Sequence, residues 1–253
     1  MGEFVPISVV VLTRNEADNI ERCLQAVAWC DEIIIINDST DNTLEIAKNV
    51  ILRSHLKIVA TSQRMDFSDL RNTGLKQAKH EWILYLDADE VVTDELAHEI
   101  KKAVQEGWVD GYFLKRSDYF LGSWLKYGET GELKLLKLGK KSKGKWKRAV
   151  HEVWEIPGNI GILKSPLLHY PHPTVAEFIS RINRWTTLDA QVFFRDGQRS
   201  NVFKIIVFPL AKFINNYFFK LGFLDGMPGL ILAMCMSFHS FLTRAKLYML
   251  QTS

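Results

Sequence analysis

The chain has 253 residues, 47% of them hydrophobic and 24% charged, with 32 Lys and Arg against 29 Asp and Glu and a mean hydropathy of −0.05. So high an apolar content with so small a net charge excludes a mainly disordered chain and predicts one large domain, or one domain with an appendage. Three cysteines, Cys23, Cys30 and Cys235, without C-x-x-C spacing, argue against a disulfide scaffold or structural zinc site and for a reducing compartment.

No export signal is expected at the N-terminus, where residues 1–6 include Glu3 and only residues 9–12 follow as an apolar run, so the protein is placed in the cytoplasm. Residues 7–12 are β-branched and continuous, as in a strand buried on both faces. Residues 17–27 carry Ile20, Leu24 and Val27 at helical spacing, and residues 32–36 form a second strand. Asp38, Ser39, Thr40 and Asp41 supply helix-start chemistry for the segment with Leu44, Ile46 and Ala47. A brief strand at 57–60, a helix at 68–78, a strand at 82–86 and a helix at 93–105 started by Thr93 complete a βα alternation. That alternation predicts a mostly parallel sheet with helices on both faces. Beyond Gly107 the pattern changes to strands at 110–116, 133–138, 149–156 and 160–164, followed by helix from Thr174.

Ligands of such sheets sit at the carboxyl ends of the parallel strands. Three strand ends deliver Asn15 and Glu16, then Asn37, Asp38 and Asp41, then Asp87, Asp89 and Glu90. If strand geometry persists, Asp87 and Asp89 point to one side, and two hard oxygen ligands suit Mg²⁺ or Mn²⁺ when substrate phosphates complete the shell. Asp38 and Asp41 fit a helix cap as well as a ligand contact, and Arg71 fits a surface helix position as well as a phosphate site. No G-x-G-x-x-G follows the first strand and no G-x-x-x-x-G-K-[ST] occurs, which removes the dinucleotide fingerprint and the P-loop.

Four motifs in order, Ser8-Val9-Val10-Val11-Leu12-Thr13-Arg14-Asn15-Glu16, Asn37-Asp38-Ser39-Thr40-Asp41-Asn42-Thr43, Arg71-Asn72-Thr73-Gly74 and Leu86-Asp87-Ala88-Asp89-Glu90, resemble those of family 2 glycosyltransferases of the GT-A fold. Ala149-Val150-His151-Glu152, Leu168-His169-Tyr170 and Gly222-Phe223-Leu224-Asp225-Gly226 resemble the branch with lipopolysaccharide core β-1,4-glucosyltransferases. The resemblance implies an α/β GT-A domain over residues 1–199, with a nucleotide-sugar half at 1–107 and an acceptor half at 108–199. It implies that Thr13, Glu16 and Asp38 line the nucleoside pocket, with Arg71 near the base or diphosphate, Asp87 on the ribose and Asp89 on the metal. Arg14 departs from the pattern, since many relatives carry a base-stacking aromatic there.

The implied reaction is inverting transfer of a hexose, glucose first, from a uridine diphosphate sugar to a glycolipid hydroxyl such as the lipopolysaccharide inner core. A general base must take the hydroxyl proton; Glu152 is the candidate, His151 its rival or orienting partner, and His169 an accessory metal ligand or phosphate contact. Transfer to polyprenyl phosphate or to a protein side chain, and a non-catalytic nucleotide-sugar-binding scaffold, are the alternatives. Residues 134–148 hold eight basic residues and no acid, read either as a solvated loop or as a steering patch for an anionic acceptor. Nucleic acid is not expected as a partner, because stacking aromatics are not interleaved with the charges.

Residues 202–253 carry five Lys and Arg against Asp225 alone, a net of +4, and ten of the 29 aromatics. Phe203, Val207, Leu210, Ile214, Tyr217 and Leu221 recur at helical spacing, with Lys204, Lys212 and Lys220 placed to reach anionic headgroups. Residues 200–253 are therefore expected to be a helical, membrane-associating tail that docks peripherally on the cytoplasmic face of the inner membrane. The uncharged stretch 226–243 is at the lower limit for a span.

Overall fold

Alternate side chains of the first strands enter opposite cores. The computed structural model describes residues 5–51, 55–61, 67–131, 133–148, 152–172 and 174–252. Their packing forms two compact units, Met1–Arg116 with Lys134–His169, and Ser117–Leu133 with Tyr170–Ser253.

The first unit opens with β1 (Val5–Thr13), α1 (Ile20–Gln25), β2 (Cys30–Asn37), α2 (Thr43–Val50), β3 (Leu56–Ala60), α3 (Phe67–Gln77) and β4 (Trp82–Asp87). Then come β5 (Glu90–Val92) and α4 (Asp94–Glu106). Val9, Val11, Ile33, Ile35 and Leu84 pack with α1 and α4 residues on one face, while Val10, Ile34, Ile36, Ile83 and Tyr85 pack with Leu75 on the other. This is why these strands read as unbroken apolar runs, and each such burial contributes about 1.5–3 kcal/mol. Thr93 caps α4, its hydroxyl accepting from the Leu96 amide at 3.1 Å.

Later strands are β6 (Gly111–Phe120), β7 (Ser123–Trp124), β8 (Lys134–Lys140), β9 (Lys145–Lys147), β10 (Val153–Glu155) and β11 (Ile160–His172). The sheet order is β3-β2-β1-β4-β8-β6-β11-β5, with β7 on β6. The first four strands pair in parallel, and β8 joins β4 antiparallel. β9 and β10 pair separately as an antiparallel ribbon. Register aligns Thr13 with Asn37 and Leu12 with Asp87, so the carboxyl ends of β1, β2 and β4 finish at one level.

The second unit holds α5 (Val175–Arg195), α6 (Val202–Ile214) and α7 (Gly226–Thr252). A π-helical turn, Asn215–Phe219, and a 3₁₀ turn, Gly222–Asp225, join α6 to α7. Thr174 caps α5 through the Glu177 amide at 3.2 Å. The compact units do not follow the boundary expected at residue 199. Residues 170–199 belong with the C-terminal helices, because α5 turns its Asn183, Thr186 and Thr187 side chains toward Lys246 of α7, at 2.8 Å each.

Candidate active site

Arg71 is placed by its own motif. Gly74, one turn on, lies so close to β1 that a Cβ there would sit 2.4 Å from Val10 Cγ1. Asn72 binds the β9 backbone twice, donating to the Trp146 carbonyl at 2.9 Å and accepting from the Trp146 amide at 3.1 Å. With α3 seated on β1 and the ribbon fixed to α3, Arg71 is buried at 6% exposure. It donates from Nε to Glu152 Oε1 at 3.0 Å and from Nη2 to Asp87 Oδ1 at 2.9 Å. Its guanidinium carbon lies 4.7 Å from the Trp146 ring centroid, and Trp146 stacks on Trp154 at 5.6 Å.

Asp87 is clamped from the other side by Lys137 of β8, whose Nζ donates to Asp87 Oδ2 at 2.9 Å and to Glu90 Oε2 at 2.6 Å. Glu90 also accepts from the Asp87 amide at 2.9 Å and is fully buried. One chain of charges, Glu152, Arg71, Asp87, Lys137 and Glu90, thus crosses the carboxyl edge of the parallel strands. Burial raises the Asp87 carboxyl, but Lys137 and Arg71 outweigh it and hold the group well below the usual carboxylate range. Burial opposes the Arg71 charge as well, yet Asp87 and Glu152 leave it above its ordinary value. Cys23, beneath the edge, is pushed up by burial first and then by Glu90, Asp89 and Asp87, which keeps it a neutral thiol.

The condition for a common direction of Asp87 and Asp89, continued strand geometry, is not met: β4 ends at Asp87, and Ala88 and Asp89 form a turn before β5. Asp89 approaches His169 instead, its Oδ2 3.5 Å from Nε2. The antiparallel pairing of β11 with β5, His169 opposite Glu90, brings that histidine in. Among the described residues, no three His, Cys, Asp or Glu side chains converge on a metal position. Asp89 and His169 supply two donors, which fits a divalent cation that completes its shell with phosphate oxygens and water.

At the ends of β1 and β2, Thr13 donates to Asn37 Oδ1 at 3.0 Å, and Asn15 adopts a left-handed backbone, φ 56°, from which its side chain accepts the Thr40 amide at 2.8 Å. The Glu16 amide donates to Thr43 Oγ1 at 2.9 Å. Arg14 Nε lies 3.5 Å from Asp38 Oδ2. Asp38 does not cap α2; Asp41 accepts from the Thr43 amide and hydroxyl. Burial raises the Asp41 carboxyl, and its hydrogen bonds, those from Thr43 first and then from backbone amides including Ala17, more than reverse that.

The expected site residues Thr13, Arg14, Glu16, Asp38, Arg71, Asp87, Asp89, Glu152 and His169 all belong to the first unit. His151 lies outside the described residues. Sequence reasoning missed Lys137 by reading residues 134–148 as one solvated or steering run. No alternation marked it: Leu136 and Leu138 pack into different cores, and the β6–β8 register skips Lys137, which is 4% exposed.

A half-parallel, half-antiparallel sheet with acidic loops at its parallel carboxyl edge defines the GT-A class of nucleotide-diphospho-sugar transferases. A sequence model of glycosyl transferase family 2 matches residues 8–168, and the chain belongs to that family. It is 28% identical over 251 residues to the lipopolysaccharide core biosynthesis glycosyltransferase LpsC of Rhizobium meliloti (strain 1021), covering 96% of this chain and 92% of that protein. Over 114 residues it is 33% identical to a poly-beta-1,6-N-acetyl-D-glucosamine synthase of Staphylococcus epidermidis, covering 42% of this chain and 28% of that one. Among solved structures, the mannosyltransferase PcManGT from Pyrobaculum calidifontis, in complex with GDP-Man and Mn²⁺, matches with a TM-score of 0.54 and 17% identity over 97% of this chain and 87% of its own. S. aureus TarS 1-349, in complex with UDP-GlcNAc, matches with 0.52 and 16% over 97% and 91%. At these identities the structural matches show the fold.

Proposed function

We propose that the protein is an inverting hexosyltransferase that moves a hexose, glucose first, from a uridine diphosphate sugar to a hydroxyl of a glycolipid acceptor such as the lipopolysaccharide inner core, at the cytoplasmic face of the inner membrane. The observation that carries the reading is the Glu152–Arg71–Asp87 bridge beside the Asp89–His169 pair at the carboxyl edge of the parallel strands. The full-length likeness to a lipopolysaccharide core biosynthesis enzyme supports the acceptor class.

In this reading Thr13, Arg14, Glu16 and Asp38 receive the nucleoside. Asp87, pinned by two cations, presents a fixed acceptor edge to the ribose. A Mg²⁺ or Mn²⁺ ion held by Asp89 and His169 would offset the charge growing on the departing diphosphate. Glu152 takes the proton from the attacking hydroxyl, and Arg71 at its Oε1 sets the carboxylate's orientation for that transfer.

The test is transfer, and release of UDP, measured with UDP-glucose and isolated core glycolipid. Glu152→Gln lowers turnover by about 10²–10⁴-fold while donor affinity by calorimetry is kept. Near-normal transfer by this variant removes Glu152 from the role and, on a polyprenyl phosphate acceptor, favours transfer to that anion, where no base is needed. Asp89→Ala abolishes metal-dependent donor binding; an unchanged affinity with Mg²⁺ or Mn²⁺ defeats its assignment.

A further inference from the structure

Within the second unit, α6, the two turns after it and the start of α7 expose many large apolar side chains. Phe203, Ile206, Leu210, Phe219, Leu224 and Met227 are each more than half exposed. Single exposed apolar residues need no explanation, but a run of this extent marks a surface that is covered in use. Segments Val202–Phe219 and Gly222–Thr252 are also long and apolar enough to cross a bilayer by length and composition. Whether they cross it is decided by what holds their ends.

The joint between α6 and α7 is tied to the polar segment that follows β7. Lys212 Nζ donates to Glu129 Oε1 at 2.7 Å and Asn216 Nδ2 to Glu129 Oε2 at 2.9 Å. The Gly128 amide bonds the Lys220 carbonyl at 2.8 Å. The Asp225 carboxylate accepts the Lys126 amide at 3.1 Å and the Tyr127 amide at 2.9 Å. The far half of α7 is tied to α5 through Lys246 and through His239, 3.5 Å from Asp189. α5 itself carries Glu177, Arg181, Arg184 and Arg195, a charge load that hydrocarbon does not accept. Both ends of the hairpin are therefore anchored to hydrated segments, and a transmembrane course would drag these polar segments into lipid.

The charges on the hairpin single out one occupant. Asp225, its one acidic residue, is turned onto backbone amides. Lys212, expected from the sequence to reach headgroups, is instead neutralised by Glu129. Lys220 is exposed beside Phe219, and Lys204 stands at the start of α6, its Nζ on the Arg199 carbonyl at 2.7 Å. A second copy meeting this face about a twofold axis would set lysines against lysines with no exposed acid on the hairpin to answer them. An anionic headgroup layer answers them directly.

We infer that the α6–α7 hairpin is a one-leaflet wedge that lies in the plane of an anionic membrane surface and does not span it. The inference takes up the membrane location of the proposed function and gives it a mode.

The test uses the full chain with preformed sealed vesicles. The protein floats with vesicles containing phosphatidylglycerol and not with phosphatidylcholine alone. Leu210→Glu and, independently, Phe203→Glu abolish flotation with circular dichroism and UDP release unchanged. Lys220→Glu weakens partition onto the anionic vesicles by roughly thirtyfold, as reversal of one surface charge requires. In Lys220→Cys, whose three native cysteines are buried, an impermeant maleimide added outside labels residue 220. Labelling only after lysis means the joint has crossed and overturns the one-leaflet wedge. No flotation, with a dimer in gel filtration that Leu210→Glu disperses, assigns the face to a second copy and overturns it as well. A chain that floats as expected yet transfers no sugar counts against the catalytic reading alone.

Discussion

Carboxylates are held at both ends of the parallel strands, in opposite ways. At the amino ends, Glu32 of β2 accepts from the hydroxyl of Ser8, its register partner on β1, and from the Lys79 amide at 2.8 Å. Asp31 beside it receives Lys79 Nζ at 2.7 Å and His80 Nε2 at 2.6 Å. No buried atom of that group lacks a partner. At the carboxyl ends, Arg71 Nη1 and Glu90 Oε1 are buried and unpartnered. A closed polar network fastens two strands, whereas one that leaves capacity unused costs stability and is found where something else must bind. The contrast sets a closed group at the amino ends, suited to a staple, against an open one at the carboxyl ends, where the proposed site lies.

The largest effect that could break this contrast is expected at Lys137. Lys137→Met leaves Glu90, fully buried, with only a backbone donor, and destabilises the fold by about 3–5 kcal/mol in urea titrations. Replacing both ends, Lys137→Met with Glu90→Leu, removes the stranded charge and restores most of that stability. Transfer activity stays lost, because Asp87 has lost one of its two clamps. Recovery of activity in the double variant would make the carboxyl-end network a second staple.

Lys137 also marks where the sequence stopped being legible. The βα order, the Thr93 cap, the helix from Thr174 and the convergence of acids on one edge depend on local spacing, and residues close in sequence carried them. Lys137 finds Asp87 fifty positions away across an antiparallel pair, and a basic run offers no clue to which lysine turns inward. His169 meets Asp89 only because β11 continues well beyond the expected 160–164 and pairs with β5. Lys212 finds Glu129 at a separation of 83 residues. Asn72 is intermediate: it stood in the motif, but its pair of hydrogen bonds to the Trp146 backbone needed the ribbon in place.

A smaller stability change and an equal loss of function are expected at Arg71. Asp87 and Glu152 are partly open, with side chains 35% and 17% exposed, so water takes over some of the lost contact in Arg71→Met. Destabilisation of about 2–3 kcal/mol follows. Turnover falls with it, because Asp87 and Glu152 lose their common tether. Arg71→Lys, which keeps the charge but not the two-pronged geometry, separates the causes: restored melting temperature with unrestored kcat sharpens the contrast, and restored kcat reduces Arg71 to a buried counter-charge.

The smallest effect, and the sharpest control, is Asp31→Asn at the amino end. The hydrogen bond from Lys79, and next that from His80, hold the Asp31 carboxyl below its ordinary value, so the folded state favours the ionised form. Such a group adds stability that is fully present above its unfolded value, about 3.9, and that disappears as pH falls through the lower folded one. Asp31 is 27% exposed and Lys79 53%, which limits the gain to below about 1 kcal/mol. Urea titrations should therefore find wild type slightly more stable than Asp31→Asn at neutral pH, with the difference shrinking well below pH 4, while UDP release at neutral pH stays the same in both. A fall in transfer from this substitution, at the end of the strands away from the carboxyl-edge network, would mean that the amino-end group is coupled to catalysis and that staple and site are not separate devices.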